Sequence, residues 1–158
     1  MIDEKSLQIL KILQQKARVP NVEVARQVNL APSAVLERIR KLEKQGIIDG
    51  YEVILNPKRF NKNLVVFVHV YLSGTTDKKS IGENLGLIPE IQEIHFIAGE
   101  DCYLLKMRVA DINQLNEILE EKILSLAHIR KTKTSVALST IKETSQITLD
   151  LTSIIEQG

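Results

Sequence analysis

The 158-residue sequence predicts an α+β chain in two modules: three helices with a hairpin, then a βαββαβ sandwich. Residues 1–46 carry apolar side chains at helical spacing, broken by polar turns. Residues 64–141 alternate short runs of strand-forming residues with two helical stretches. Charge divides in the same place. Residues 1–63 hold 12 Lys/Arg against 7 Asp/Glu, and residues 64–158 hold 9 against 13. A net +5 beside a net −4 suits modules with different partners, the first of them an anionic polymer.

The bulk numbers set the class. A composition of 44% hydrophobic and 26% charged residues fits a soluble globular protein. No apolar run approaches the roughly 18–20 residues that span a bilayer, so no membrane partner is expected. The start, MIDEKSLQIL, is acidic and has no signal-peptide pattern. The single cysteine, Cys102, excludes an internal disulfide and fits a reducing cytoplasm.

The first helix carries Leu7, Ile9, Leu10, Ile12 and Leu13, with Asp3 or Ser6 as its cap. Arg18-Val19-Pro20-Asn21 breaks it, and Asn21 is expected to cap a short second helix facing inward through Val22, Ala25 and Val28. Asn29 tolerates positive φ and marks its stop. Pro32 suits the first turn of a third helix, which Gly46 ends. IIDGYEVIL (47–55), with its Asp49-Gly50 pair, reads as a hairpin, making the module a winged helix-turn-helix. Residues 56–63 read as a linker.

In the second half, 64–72, 93–98, 102–109 and 132–141 read as strands. Residues 77–87 and 112–126 read as helices, the latter with Leu115, Ile118, Leu119 and Leu126 near one side. The order is that of a ferredoxin-like αβ-sandwich. On the first strand Val66, Val68, Val70 and Leu72 point one way, and Val65, Phe67, His69 and Tyr71 the other. A sheet covered by helices on one face leaves the second wet, so a mostly apolar second face predicts a sheet-on-sheet homodimer. The competing reading is a monomer whose tail covers that face. The tail at 146–151 alternates like a strand.

The third helix divides cleanly at about 100° per residue. Val35, Ile39 and Leu42 form an apolar back. The front carries Ser33, Glu37, Arg40, Lys41 and Lys44, with Ala34 close by. An apolar back locks the angle of a reading helix, and a polar front reaches base edges and phosphates. Small Ser33 and Ala34 permit close approach, Glu37 is an acceptor for cytosine N4, and the cations suit guanine edges or phosphates. Arg38, beside the core face, is expected mainly to position the domain. A charged helix face alone is more often simply solvated. The short helix and tight turn before it and the Gly-containing hairpin after it tip the balance to double-stranded DNA.

The residues ILKIL, ARVPNVEVARQVNLAPSAVLERIRKLEKQGIIDGY, LNP, AGEDCYLLKMRVAD and TSVALSTIK resemble the Lrp/AsnC family of leucine- and asparagine-responsive regulators, over about residues 2–143. The resemblance implies a winged helix-turn-helix at 1–55, a linker at 56–63, an effector-binding and oligomerisation module at 64–143, and a tail at 144–158. It implies dimers that join into octamers and an amino-acid effector, with no other cofactor. The effector residues it implies are Gly99, Glu100, Asp101, Cys102 and Tyr103, with Ser135, Val136 and Ala137, placed between neighbouring dimers. Three departures stand out. Asn29-Leu30-Ala31 replaces the usual Gly-Leu-Ser, and Ser6 stands for the usual capping Asp of the first helix. In the effector turn the family pattern is Gly-x-x-Asp-Tyr, and here Cys102 holds the place of the Asp. Glu100 or Asp101 would then receive an α-ammonium.

An enzyme is disfavoured. His69, His95 and His128 are scattered, and there is no HxxxH or CxxC spacing, nucleophile elbow or phosphate-cradling loop. Cys102 beside Asp101 is a poor thiolate site, because neighbouring negative charge opposes ionisation. The expected function is a cytoplasmic, sequence-specific DNA-binding transcriptional regulator that responds to a small molecule. The alternative is a metabolite-sensing or protein-interaction module that does not read DNA.

Overall fold

Asp3 accepts a hydrogen bond from the Ser6 amide at 2.8 Å, and this starts α1 (Glu4–Gln15). Asp3 is thus the cap, while Ser6 is buried inside the helix. In the computed structural model, which describes residues 2–74 and 77–150, the chain forms two compact units. Among the described residues, one comprises Ile2–Ile54 together with Thr144–Asp150, and the other Leu55–Glu143.

The first unit contains α1, α2 (Asn21–Val28) and α3 (Pro32–Lys44) around Ile9, Leu13, Val24, Ala25, Val28, Val35 and Ile39. Two details of α2 differ from the sequence expectation. Asn21 lies inside the helix rather than capping it, because Pro20 takes the cap position without a side-chain bond. Val24 is buried and Val22 is 67% exposed, since the helix turns so that Val24, Ala25 and Val28 face the core. Asn29 ends α2 in the left-handed region at φ 55°, and the Leu30 amide donates back to the Ala25 carbonyl.

No hairpin forms at 47–55. The left-handed residue is Gly46 (φ 64°), not Gly50. The amides of Ile47 and Ile48 both donate to the Leu42 carbonyl, closing the end of α3 and leaving no first strand for a hairpin. Residues 51–55 run on without ladder pairing. The supposed linker is partly structured: Pro57–Phe60 form a 3-10 turn capped by Asn56.

The second unit is built on β1 (Leu64–Leu72), α4 (Lys78–Gly86), β2 (Ile91–Ile97), β3 (Cys102–Val109), α5 (Ile112–Glu117) and β4 (Ile129–Val136). The sheet is antiparallel, in the order β2-β3-β1-β4. Asp77 and Asp111 cap the two helices through their side chains. α5 passes directly into a π-helical turn, Ile118–Ile123, in which the Leu124 amide reaches the Leu119 carbonyl at 2.8 Å. That wider turn brings Ile123 into the core with Leu115 and Ile118. β4 begins and ends earlier than the 132–141 expected. Leu72 pairs with Ile129, and the last contact is from the Ala137 amide to the Val65 carbonyl, beyond which β1 offers little more to pair with. Leu138 and Ile141 are therefore exposed.

Val66, Val68 and Val70 lie on the helix-covered face with Tyr103, Leu105, Met107 and Val109. The other face is less apolar than β1 alone suggests. Strand register sets Lys106 opposite Phe67, Arg108 opposite Val65, Lys133 opposite His69 and Lys131 opposite Tyr71. Much of this charge is neutralised within the subunit. Lys106 lies 2.7 Å from Glu93 and 2.6 Å from Glu143, and Arg108 also pairs with Glu143.

Candidate nucleic-acid interface and effector turn

The apolar back of α3 is seated by Val35, Ile39 and Leu42, all buried. Ser33, Glu37, Arg40, Lys41 and Lys44 are exposed and Ala34 is half-buried, as the wheel predicts. Among the described residues, no side-chain hydrogen bond or ion pair holds Ser33, Glu37, Arg40, Lys41 or Lys44. The i,i+4 pairing of Glu37 with Lys41 that a merely solvated face would favour is not formed. Ala31 offers no side-chain cap, and Pro32 occupies the first turn, so the leading amides of α3 also lack a side-chain partner.

Two residues on this helix have other duties. Arg38 reaches back to α1, where its Nη1 lies 2.8 Å and 2.6 Å from the two Asp3 carboxylate oxygens and 3.1 Å from Ser6 Oγ. With the Ser6 amide acting first and Arg38 next, the Asp3 carboxyl is lowered from 3.8 to about 2. Glu43 accepts from the Tyr51 hydroxyl at 2.8 Å, a contact the sequence reading missed because the two meet only through the turn at Gly46. Burial, then Glu43, pushes the Tyr51 phenol up to about 12.

At the β2–β3 turn, Gly99 (φ 94°) and Asp101 (φ 47°) both adopt left-handed backbone. Cys102 is fully buried at the start of β3, opposite Tyr71. Burial, reinforced by Glu100 and Asp101, raises its thiol above the usual value. Glu100 accepts from the Tyr71 hydroxyl, which lowers the Glu100 carboxyl and pushes the phenol up to about 12. Of the two acids weighed for the missing aspartate, Glu100 therefore sits beside the strand partner of Cys102. Asp101 makes no side-chain bond among the described residues.

Tyr103 turns the other way. It is buried against α4, its hydroxyl donates to the Lys78 carbonyl, and its ring meets Phe96 edge-on at 5.1 Å. Ser135 and Val136 pair with Phe67 and Val66, whereas Cys102 pairs with Tyr71. Four positions on β1, about 13 Å of strand, separate the turn from Ser135, and the two segments flank β1 on opposite sides. One subunit thus does not bring the eight effector candidates together. Among the described residues, no group of three or more His, Cys, Asp or Glu side chains is placed to hold a metal ion. No helix there is long and apolar enough to cross a membrane.

A helix-turn-helix with an unpaired polar front, in one chain with an αβ-sandwich, defines a ligand-responsive DNA-binding regulator. Family models agree: residues 2–49 match a winged helix-turn-helix DNA-binding domain, and residues 65–147 match the Lrp/AsnC ligand binding domain. The chain is 36% identical over 150 residues to the leucine-responsive regulatory protein of Escherichia coli (strain K12), covering 94% of this chain and 92% of that protein. It belongs to the Lrp/AsnC family of transcriptional regulators. Solved structures align over nearly the whole length. A transcriptional regulator from Neisseria meningitidis in complex with L-Met gives a TM-score of 0.91 at 29% identity, covering 95% of this chain and 98% of that one. AsnC of E. coli gives 0.85 at 25% identity, covering 92% and 98%.

Proposed function

We propose that this regulator reads duplex DNA with Ser33, Ala34, Glu37, Arg40, Lys41 and Lys44, and that Arg38 acts as a positioning residue. The observation that carries this is the set of unpaired polar side chains along the front of α3, against a back locked into the core. In the proposed division, residues 1–55 bind DNA, 56–63 link, 64–143 bind effector and oligomerise, and 144–158 form a tail. The protein acts in the cytoplasm, as a regulator rather than an enzyme.

The effector is an amino acid, held without a further cofactor. The Neisseria relative was solved with L-Met, and so was a feast or famine regulatory protein from M. tuberculosis that is 28% identical to this chain. Gly99, Glu100, Asp101 and Cys102 from one subunit and Ser135, Val136 and Ala137 from another would complete the pocket. Their separation across β1 supports a site shared between subunits. Tyr103 supports the turn from the helix side.

The subunits pair as homodimers through the open sheet face, and dimers assemble further, into octamers. Phe67 is 37% exposed on that face, and His69 Nδ1 is buried there with no hydrogen-bond partner among the described residues. Internal pairing of Lys106 and Arg108 lowers the cost of covering them. Selection of bound genomic fragments with and without a panel of amino acids tests the reading. Enrichment of an imperfect palindrome, changed by one of the amino acids, is expected. No enrichment over bulk DNA overturns it. Light scattering at micromolar concentration reports the assembly, and a monomer rules out the dimer.

A further inference from the structure

We propose that residues 144–150 are a detachable strap on the DNA-binding unit, and that their docking sets its affinity for DNA. By their contacts these residues belong to that unit, although they follow the last strand of the sandwich. Gln14 near the end of α1 holds them in a fixed register. Its side-chain Nε2 donates to the Ile147 carbonyl at 3.0 Å, and its Oε1 accepts from the Ile147 amide at 2.8 Å. The side chain of Gln146 completes the clasp by donating to the Gln14 carbonyl at 2.9 Å. The same tail, with Ile147 and Leu149, lines a groove formed by Leu10 and Leu13 of α1 and by Ile48 and Ile54 beyond α3.

The attachment is built to release. All three bonds are solvent-exposed, and Ile147 remains 68% exposed, so little apolar burial supports them. Segments with few buried contacts open at low free energy. The strap's other end is fixed: Glu143 is gripped by Lys106 and Arg108 on the sheet. Only Thr144 and Ser145 separate that grip from the Gln146–Ile147 clasp. A rearrangement of the sheet that releases Glu143 therefore leaves the strap held by the Gln14 clasp alone, and so easier to detach from α1. The groove is lined by α1 and the segment after α3 and by none of the front residues of α3, so docking supports the unit without covering them.

Full-length variants test this by hydrogen exchange and operator binding. Ile147→Pro removes one donor, Gln14→Ala removes both side-chain bonds to Ile147, and Glu143→Gln weakens the grip on the sheet. The tail amides are expected to exchange about two- to tenfold faster in all three variants, the worth of one or two exposed hydrogen bonds. Operator affinity is expected to fall by at most a similar factor, and Gln14→Ala with Ile147→Pro should be no worse than Gln14→Ala alone. Tail amides that already exchange freely in the parent overturn the docking. Unchanged exchange in Glu143→Gln overturns the link to the sheet. The affinity role rests on the DNA-binding reading: a parent that binds no operator defeats that reading, whereas a parent that binds with all variants equal to it defeats the strap.

Discussion

Arg38 Nη1 stands 2.6 Å from Asp3 Oδ2, so the reading helix is tied to the cap of the first helix by an ion pair. The Arg38 side chain is 33% exposed and that of Asp3 53%, which limits the pair's worth through solvent screening. Arg38→Ala should cost about 1 kcal/mol of stability and change base preference little. Asp3 adds a pH signature. Its carboxyl is lowered in the folded state, so its stabilisation is complete above the ordinary value of 3.8 and is lost as pH falls towards 2. NMR titration should place the Asp3 midpoint near 2 in the parent and higher, but still below 3.8, in Arg38→Ala, where the Ser6 amide remains. An unmoved midpoint refutes the pairing.

Lys44 lies exposed in the last turn of α3 with no internal partner among the described residues. If it meets a phosphate, Lys44→Ala weakens binding about equally on all sequences and flattens the salt slope by about one unit. Arg40→Ala or Glu37→Ala should instead change sequence preference, by roughly 1–3 kcal/mol at the affected base pair. Binding isotherms on selected and scrambled duplexes across a salt series separate the two effects. Parent-like behaviour in all three variants removes α3 as the reader.

Gly82 faces Tyr103 closely. A Cβ built there would lie 2.8 Å from the hydroxyl oxygen and 3.1 Å from Cζ. Gly82→Ala should therefore destabilise by about 1–3 kcal/mol through overpacking, despite alanine's better helix propensity. Tyr103→Phe should relieve part of that cost in the double variant. Thermal unfolding of the four proteins gives the coupling, and strict additivity argues against the contact.

Cys102 stands where the family pattern has aspartate. Glu100→Ala should abolish or weaken amino-acid binding at least tenfold if it receives the ammonium group, a charge-assisted bond worth about 1.5–3 kcal/mol. Calorimetry against the twenty amino acids measures this. Undiminished heat in Glu100→Ala shifts the role to Asp101. Cys102→Asp should bind an amino acid more tightly only if it outweighs the cost of ionising at a fully buried position.

Local chemistry carried much of the architecture. Asn29, Pro32 and the spacing of Val35, Ile39 and Leu42 placed the reading helix within a residue or so of its observed limits. The strands around Gly99 were legible because a tight turn lies between two apolar runs. Elements whose limits are set by a partner were harder to read. β4 is as long as β1 allows, a property of pairing rather than of TKTSVALSTI itself. The apparent hairpin at Asp49-Gly50 fails because Leu42 claims the amides of Ile47 and Ile48. In the candidate site, the front of α3 was legible by periodicity. The Arg38–Asp3 tie depends on a contact across 35 residues, and which face Cys102 and Tyr103 each take depends on strand register.

The π-helical turn after α5 has a consequence for chain length. Five residues separate Ile118 from Ile123, and in a regular α-helix they would stand about 140° apart. The widened turn absorbs the difference, and both are buried. It behaves as a one-residue insertion accommodated inside a helix. In relatives, this is where a single-residue gap in an alignment is expected to fall, with a plain α-helix on the shorter side and β4 in unchanged register.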